Sequence, residues 1–204
     1  MDGGPSEESE QIATAADRWT ADVAAGNVGP LKAAFSAHGA EGPTLMWCPA
    51  PQDLQPPPLQ FLLSYWTGLR KDDGLPRAGD IDPLNMRPAL GYVLLLDIVE
   101  GGLDFRYRLF GTILAAVSGF EMTGKLMSEH PTSPYILDFY RATYRAALQR
   151  REPLATVHSP PVAVSTTIWH RLILPFADRD GAVVRLMGGT VPVSRNGEPL
   201  ASSW

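Results

Sequence analysis

The sequence is short of several things, and each shortage excludes something. Cys48 is the one cysteine in 204 residues, so no internal disulfide can form and the chain fits a reducing compartment. Basic residues are not in excess: the formal charge is -5. Residues 1–58 carry eight acids against only Arg18 and Lys32, and the remaining 14 acids and 15 bases nearly cancel. Binding to a phosphate backbone needs a strongly basic surface, so no nucleic-acid partner is expected. Long apolar runs are missing as well, none reaching the roughly 18 residues of a membrane span. The opening Met-Asp-Gly-Gly-Pro-Ser-Glu-Glu has neither the positive charge nor the apolar core of a signal peptide. No membrane partner is expected, and the expected localisation is cytoplasmic.

What is present fits one or at most two globular domains, with 45% hydrophobic and 19% charged residues. Nineteen glycines and 19 prolines exceed the average share of roughly 12% for the two together, so part of the chain must be loop. Pro49, Pro51, Pro56, Pro57 and Pro58 crowd one stretch, which reads as an extended linker. Before it, Ile12, Ala15, Ala16, Trp19 and Val23 recur at helical spacing, from a start near Ser6 or Ser9 to Gly26. That helix either docks on the main domain, pairs with a partner chain or stays mobile. Residues 1–58 therefore read as an acidic, proline-rich extension, 59–195 as the main domain and 196–204 as a tail.

After the linker, Phe61, Leu62, Tyr65, Trp66 and Leu69 mark a helix whose apolar stripe needs burial. Asp82 followed by Pro83 predicts a capped helical turn. Tyr92–Glu100 and Leu103–Gly111 read as strands joined through Gly101-Gly102. The implied register sets Val99 opposite Asp104, Asp97 opposite Arg106 and Leu94 opposite Leu109. One face then collects Leu94, Leu96, Ile98, Phe105, Tyr107 and Leu109, and the other Val93, Leu95, Asp97, Arg106, Arg108 and Phe110. A short helix over Ile113–Ser118 closes at Gly119, and a longer one opens at Ser133-Pro134 and ends at Arg150-Arg151. Strands are predicted over Leu154–His158, Thr166–Phe176 and Val183–Val193, the last two joined by an Asp178–Gly181 turn.

This order, with Leu75-Pro-Arg-Ala-Gly-Asp-Ile-Asp-Pro-Leu, Val93-Leu-Leu-Leu-Asp-Ile-Val, Asp104-Phe-Arg-Tyr-Arg-Leu-Phe-Gly-Thr112 and Arg171-Leu-Ile-Leu-Pro-Phe-Ala-Asp, resembles a bacterial family of short stand-alone PAS domain proteins. The resemblance implies an α+β fold: a five-stranded antiparallel sheet with helices packed on one face, preceded here by N-terminal helices. It also implies a sensory or regulatory role. With no output domain read in the chain, any signal is expected to pass to a partner protein.

Relatives of this fold hold flavin, haem or a small metabolite between helices and sheet. The photoactive flavin type needs a cysteine in the region matching Gly111–His130, which has none. Haem needs an axial ligand, and His38, His130, His158 and His170 show no metal spacing, although His130 and His170 could face a pocket. No cofactor and no metal are therefore expected, and a small metabolite is the open possibility. Asp97 with His170 is the one acid–base pair on central strands. It lacks a nucleophile in an activating motif, so no enzyme is expected; the alternative of that class is a small enzyme on a cone-shaped α+β fold. Gly188-Gly189 lacks the lysine and following helix of a phosphate loop. Leu96, Tyr107, Leu109, Leu114, Val117, Tyr140 and Leu186 are expected around an apolar cavity, with Tyr107, Tyr140 and His170 as polar handles. The alternative is that these side chains fill a core, leaving a ligand-free interaction module.

An apolar outer face is expected from Val93, Leu95, Phe110, Trp169, Ile173, Val183 and Met187. The Phe61, Leu62, Tyr65, Trp66, Leu69 stripe should lie across it, from its own chain or from a twofold mate, and a homodimer is expected. The cofactor reading has a direct check: the purified protein should show no visible absorption band. A flavin triplet or a Soret band overturns it.

Overall fold

A computed structural model of the chain describes residues 14–161, 167–194 and 200. Its centre is one open, wholly antiparallel sheet of six strands in the order β1-β4-β5-β6-β2-β3. The strands are β1 Thr44–Trp47, β2 Val93–Val99, β3 Asp104–Phe110, β4 Leu154–His158, β5 Ile168–Ala177 and β6 Val183–Val193. The helices are α1 Ala15–Ala24, α2 Gly29–Ala37, α3 Pro57–Leu69, α4 Thr112–Ser118 and α5 Pro134–Arg150. The expected α+β sheet is there with two differences: β1 adds a sixth strand at one edge, and helices cover both faces.

The second difference follows from β5, where residues of both parities are buried. Arg171 and Ile173 point to one side, while Leu172, Leu174 and Phe176 point to the other. Each side needs its own cover. On one side α4 and α5 pack through Leu114, Ile136, Phe139 and Tyr144. On the other lies α3, with Leu59, Leu62, Leu63 and Trp66 buried against the sheet. Trp66 Nε1 donates to the Pro175 carbonyl at 2.9 Å. The stripe thus covers the outer face from within its own chain, and the apolar face on which the expectation of a homodimer rested is occupied by α3.

The N-terminal extension is also built in. A reciprocal cap starts α1: Asp17 N donates to Thr14 Oγ1 (3.2 Å) and Thr14 N to Asp17 Oδ2 (2.9 Å). Ile12 and the starts considered at Ser6 and Ser9 lie outside the described residues. Of the three fates considered for this helix, docking is the one seen. Ala16, Thr20 and Val23 are buried, and Arg145 of α5 pairs with Asp17. The sequence reading has no α2, which nevertheless seats Phe35 edge-on to Tyr135 and Phe139. The proline stretch is not an extended linker. Pro51–Asp53 form a helical turn, Leu54 is buried, and Pro57 opens α3. Proline at a first helical position loses no hydrogen bond, so the same residues that suggest an unstructured linker serve as helix starts.

The β2–β3 hairpin keeps the predicted pairs Val99–Asp104, Ile98–Phe105, Asp97–Arg106 and Leu96–Tyr107, and then shifts. Arg108 is the extra residue of a β-bulge, beyond which Leu95 faces Leu109 and Leu94 faces Phe110. Leu109 and Phe110 therefore exchange faces relative to the sequence reading: Leu109 packs on the α3 side and Phe110 on the α5 side. Trp169 and Ile173 also belong to the α5 side, whereas Met187 is on the α3 side as expected. The predicted β5 start at Thr166 falls outside the described residues. Asp82 caps the Pro83–Met86 turn by accepting from Leu84 N (2.9 Å), as the sequence predicts.

Two glycines mark where elements touch. A Cβ on Gly189 would sit 2.6 Å from Leu62 Cδ1 and 2.7 Å from Leu59 Cδ2, so this residue lets α3 approach the sheet. A Cβ on Gly111 would collide with the Gly91 backbone carbonyl. Leucine termini can move and a backbone carbonyl cannot. In urea titrations, Gly189→Ala is expected to cost about 1–3 kcal/mol through overpacking, and Gly111→Ala distinctly more.

Candidate functional site

Between α4, α5 and the inner face of β5 and β6 lies a cavity of about 340 Å³, at the low end of the roughly 300–1,000 Å³ typical of small-molecule sites. Its apolar wall includes Phe110, Leu114, Val117, Phe120 and Trp169, and its polar groups include Tyr107, His130, Tyr140, Arg171 and Thr190. The strand positions follow from pleat alternation, which sends Trp169 and Arg171 of β5 to the same side. Phe110 reaches it only because of the Arg108 bulge. There its ring packs 5.6 Å from Tyr107 and 5.9 Å from Phe120, centre to centre.

Of the residues proposed from sequence, Tyr107, Leu114, Val117 and Tyr140 line this cavity. Leu96 and Leu186 belong to the same hydrophobic cluster without lining it. Leu109 is on the α3 side because of the bulge. His170 is also on the far side, bordering a smaller cavity of about 200 Å³ with β1, β4 and the start of α3. Phe110 and Trp169, assigned to an interface, are cavity residues instead. Among the described cavity residues overlooked in the sequence, Arg171 carries the most chemical weight. A lone charge inside the apolar run Ile168–Ala177 is the signal that could have found it.

Burial shapes the titration of the polar wall. Desolvation, joined by the nearby Arg171 charge, lowers His130 to about 4. The same two causes, in the same order, hold His158 well below its ordinary range, with a smaller push from His170. Tyr140 is pushed up to about 12 by burial, opposed by Arg171, and its Oη lies 3.2 Å from His158 Nε2. Tyr107 is held well above the usual range, mainly by burial. The site therefore holds neutral imidazoles and neutral phenols around one buried cation.

The other candidate chemistry dissolves into structure. Asp97 accepts from Arg185 at 2.7 and 2.8 Å and from Arg108 at 3.3 Å. Arg106, the cross-strand partner considered for it, donates instead to the Gly124 carbonyl. Asp97 is in register with Arg185, and His170 with Val191, six residues further along β6. That separation is about 20 Å at ~3.3 Å per residue, so the pair does not converge. No group of three or more metal-binding side chains occurs among the described residues, nor does any helix there have the length and apolarity to cross a membrane.

The sheet, the helix-capped inner cavity and the element order now meet an independent match: the family model described as PAS domain covers residues 54–191. The chain belongs to the PAS domain family. No curated protein matches it. One solved structure to which this PAS domain protein is similar is described as an RNA-binding light-oxygen-voltage receptor. The identity is 16% and the TM-score 0.41, over 63% of this chain and 37% of that one. This chain thus spans little more than a third of that receptor chain.

The depressed histidines make PAS domain stability depend on pH with a definite sign. At neutral pH His130 is uncharged in both folded and unfolded states. As pH falls through 6.5, the unfolded chain takes up a proton that the fold refuses until about 4, so stability falls with acidification. Its partial exposure reduces the effect. Between about pH 7 and about pH 5, His130 is expected to contribute a loss of about 1–2 kcal/mol, with His158 acting in the same direction. Denaturant titrations at both ends of that range should show a shallower loss for His130→Gln. An unchanged slope overturns the assignment.

Proposed function

We propose that this PAS domain protein is a sensory or regulatory module that takes a small molecule into the cavity between α4, α5 and β5–β6, and passes the signal to a protein partner or to a second copy of itself. The observation that carries this reading is the cavity. A recess of about 340 Å³, partly open to the surface and walled by both aromatic and polar side chains, is the form of a binding site.

Two walls of the cavity support a means of response. The cavity is bounded by the short α4, which ends at Gly119 with φ 78°, and by the segment running to His130. Residues 124 and 125 of that segment hydrogen-bond to Tyr107 of β3 at 2.6 and 2.9 Å. A ligand touching Leu114, Phe120 and His130 therefore acts on both α4 and the sheet edge, where movement reaches the surface.

Native mass spectrometry of the freshly purified chain is expected to show a released small molecule. A ligand at about 100 times its Kd should stabilise the fold by about 2.7 kcal/mol, a shift of a few degrees in Tm. Val117→Trp, which fills the cavity from α4, should abolish that shift while the protein still unfolds cooperatively. Absence of any adduct, together with identical ligand responses in the wild type and Val117→Trp, overturns the reading in favour of a ligand-free interaction module.

A further inference from the structure

We infer that the cavity is selective for a small organic acid, whose carboxylate is received by Arg171; this rests on the reading of the cavity as a ligand site. Arg171 is 3% exposed, and its Nη1 is buried without a hydrogen-bond partner. Its situation contrasts with that of Arg108, Arg141, Arg145, Arg150 and Arg185, each of which pairs with a carboxylate. Among the described residues Arg171 has no such partner, and no acidic side chain is found among those that line the cavity. A guanidinium remains charged under all ordinary conditions, and a buried charge without a counterion is strongly disfavoured.

Aromatic faces meet part of this need. The guanidinium carbon lies 4.2 Å from the centre of the Tyr140 ring and 5.0 Å from that of Tyr144. Such contacts attract the positive charge but leave in-plane N–H donors available. A carboxylate presents two oxygens in the geometry the guanidinium fork accepts.

The neighbouring strands reinforce the same chemistry. Thr156 of β4 and Thr190 of β6 are the cross-strand partners of Arg171. Each has a buried Oγ1 with no hydrogen-bond partner, and Thr190 lines the same cavity. Three adjacent strands thus present unsatisfied polar groups in one row. Hydroxyls can donate to a carboxylate that Arg171 anchors. The opposite wall, with Leu114, Val117, Phe120 and Trp169, calls for an apolar or aromatic body on the acid.

Calorimetry on the full chain tests this with phenylacetate, indole-3-acetate and hexanoate, each against its primary amide. At least one acid is expected to bind about tenfold or more tightly than its amide, the factor typical of a charge-assisted hydrogen bond. Arg171→Met should lose that preference, and Thr190→Val should weaken the acid. The ligand-free Arg171→Met protein should melt no lower than the wild type, because an apolar side chain replaces an unpaired charge. If that variant does not fold, Arg171→Lys keeps the charge without the fork and should still bind acids more weakly. Equal binding of acids and amides, or acid binding unaffected by Arg171→Met or Arg171→Lys, overturns the inference while a neutral ligand keeps the cavity reading intact. If none of the acids binds, the inference also fails. If in addition native mass spectrometry finds no adduct of any charge, the cavity reading fails with it.

Discussion

Everything in this molecule depends on the central strands β5 and β6 being buried on both faces. Their side chains alternate between two hydrophobic clusters, so each face needs a layer of its own. The α3 helix supplies one layer, held close by the bare backbone of Gly189 and tied by the Trp66 hydrogen bond to Pro175. The α4 and α5 helices supply the other, with α1 and α2 buttressing α5. A sheet covered on one side only would leave a wide apolar face in water, at roughly 25 cal/mol for each square ångström that could have been buried.

The two faces are not equivalent. On the α3 side the packing is leucine, methionine and phenylalanine against glycine and valine, and Trp66 spends its one polar atom on a backbone carbonyl. On the α5 side the same kind of layer contains Arg171, Thr190, His130 and three tyrosines around an open volume, with His158 against Tyr140. Polar groups without partners oppose folding, and the protein tolerates several of them in one place. A cluster of such groups beside a recess is the observation on which the proposed binding role rests. Arg171 also works at a distance by helping to keep His130 and His158 neutral.

Much of the fold was legible in the residues. Apolar runs bounded by turn residues located β2 to β6, the Gly101-Gly102 hairpin placed four cross-strand pairs correctly, and Asp82-Pro83 marked its turn. These signals are local, set by pleat, cap and turn chemistry within a few residues. What was missed depends on distant partners. The β1 strand is four residues long and is a strand because β4 offers it an edge. The α2 helix carries little amphipathic pattern and is held by Phe35 fitting between Tyr135 and Phe139. The Arg108 bulge has no sequence mark. Its displaced arginine reaches Asp97, and its effect is to carry Phe110 to one face and Leu109 to the other.

The candidate site divides in the same way. Tyr107, Leu114, Val117 and Tyr140 could be placed at the cavity because each sits on an element whose inward face is readable from its own periodicity. The sequence by itself determined the family, the succession of β2 to β6 along the chain and the apolar character of the interior. Tertiary structure decided which face of β5 looks into a cavity and which lies under α3, since a strand with both faces apolar carries no mark of direction. It also decided that Arg171, one charge in an apolar run, would meet tyrosines instead of a carboxylate, because the identity of a neighbour across the sheet or between layers is written in no local stretch of residues.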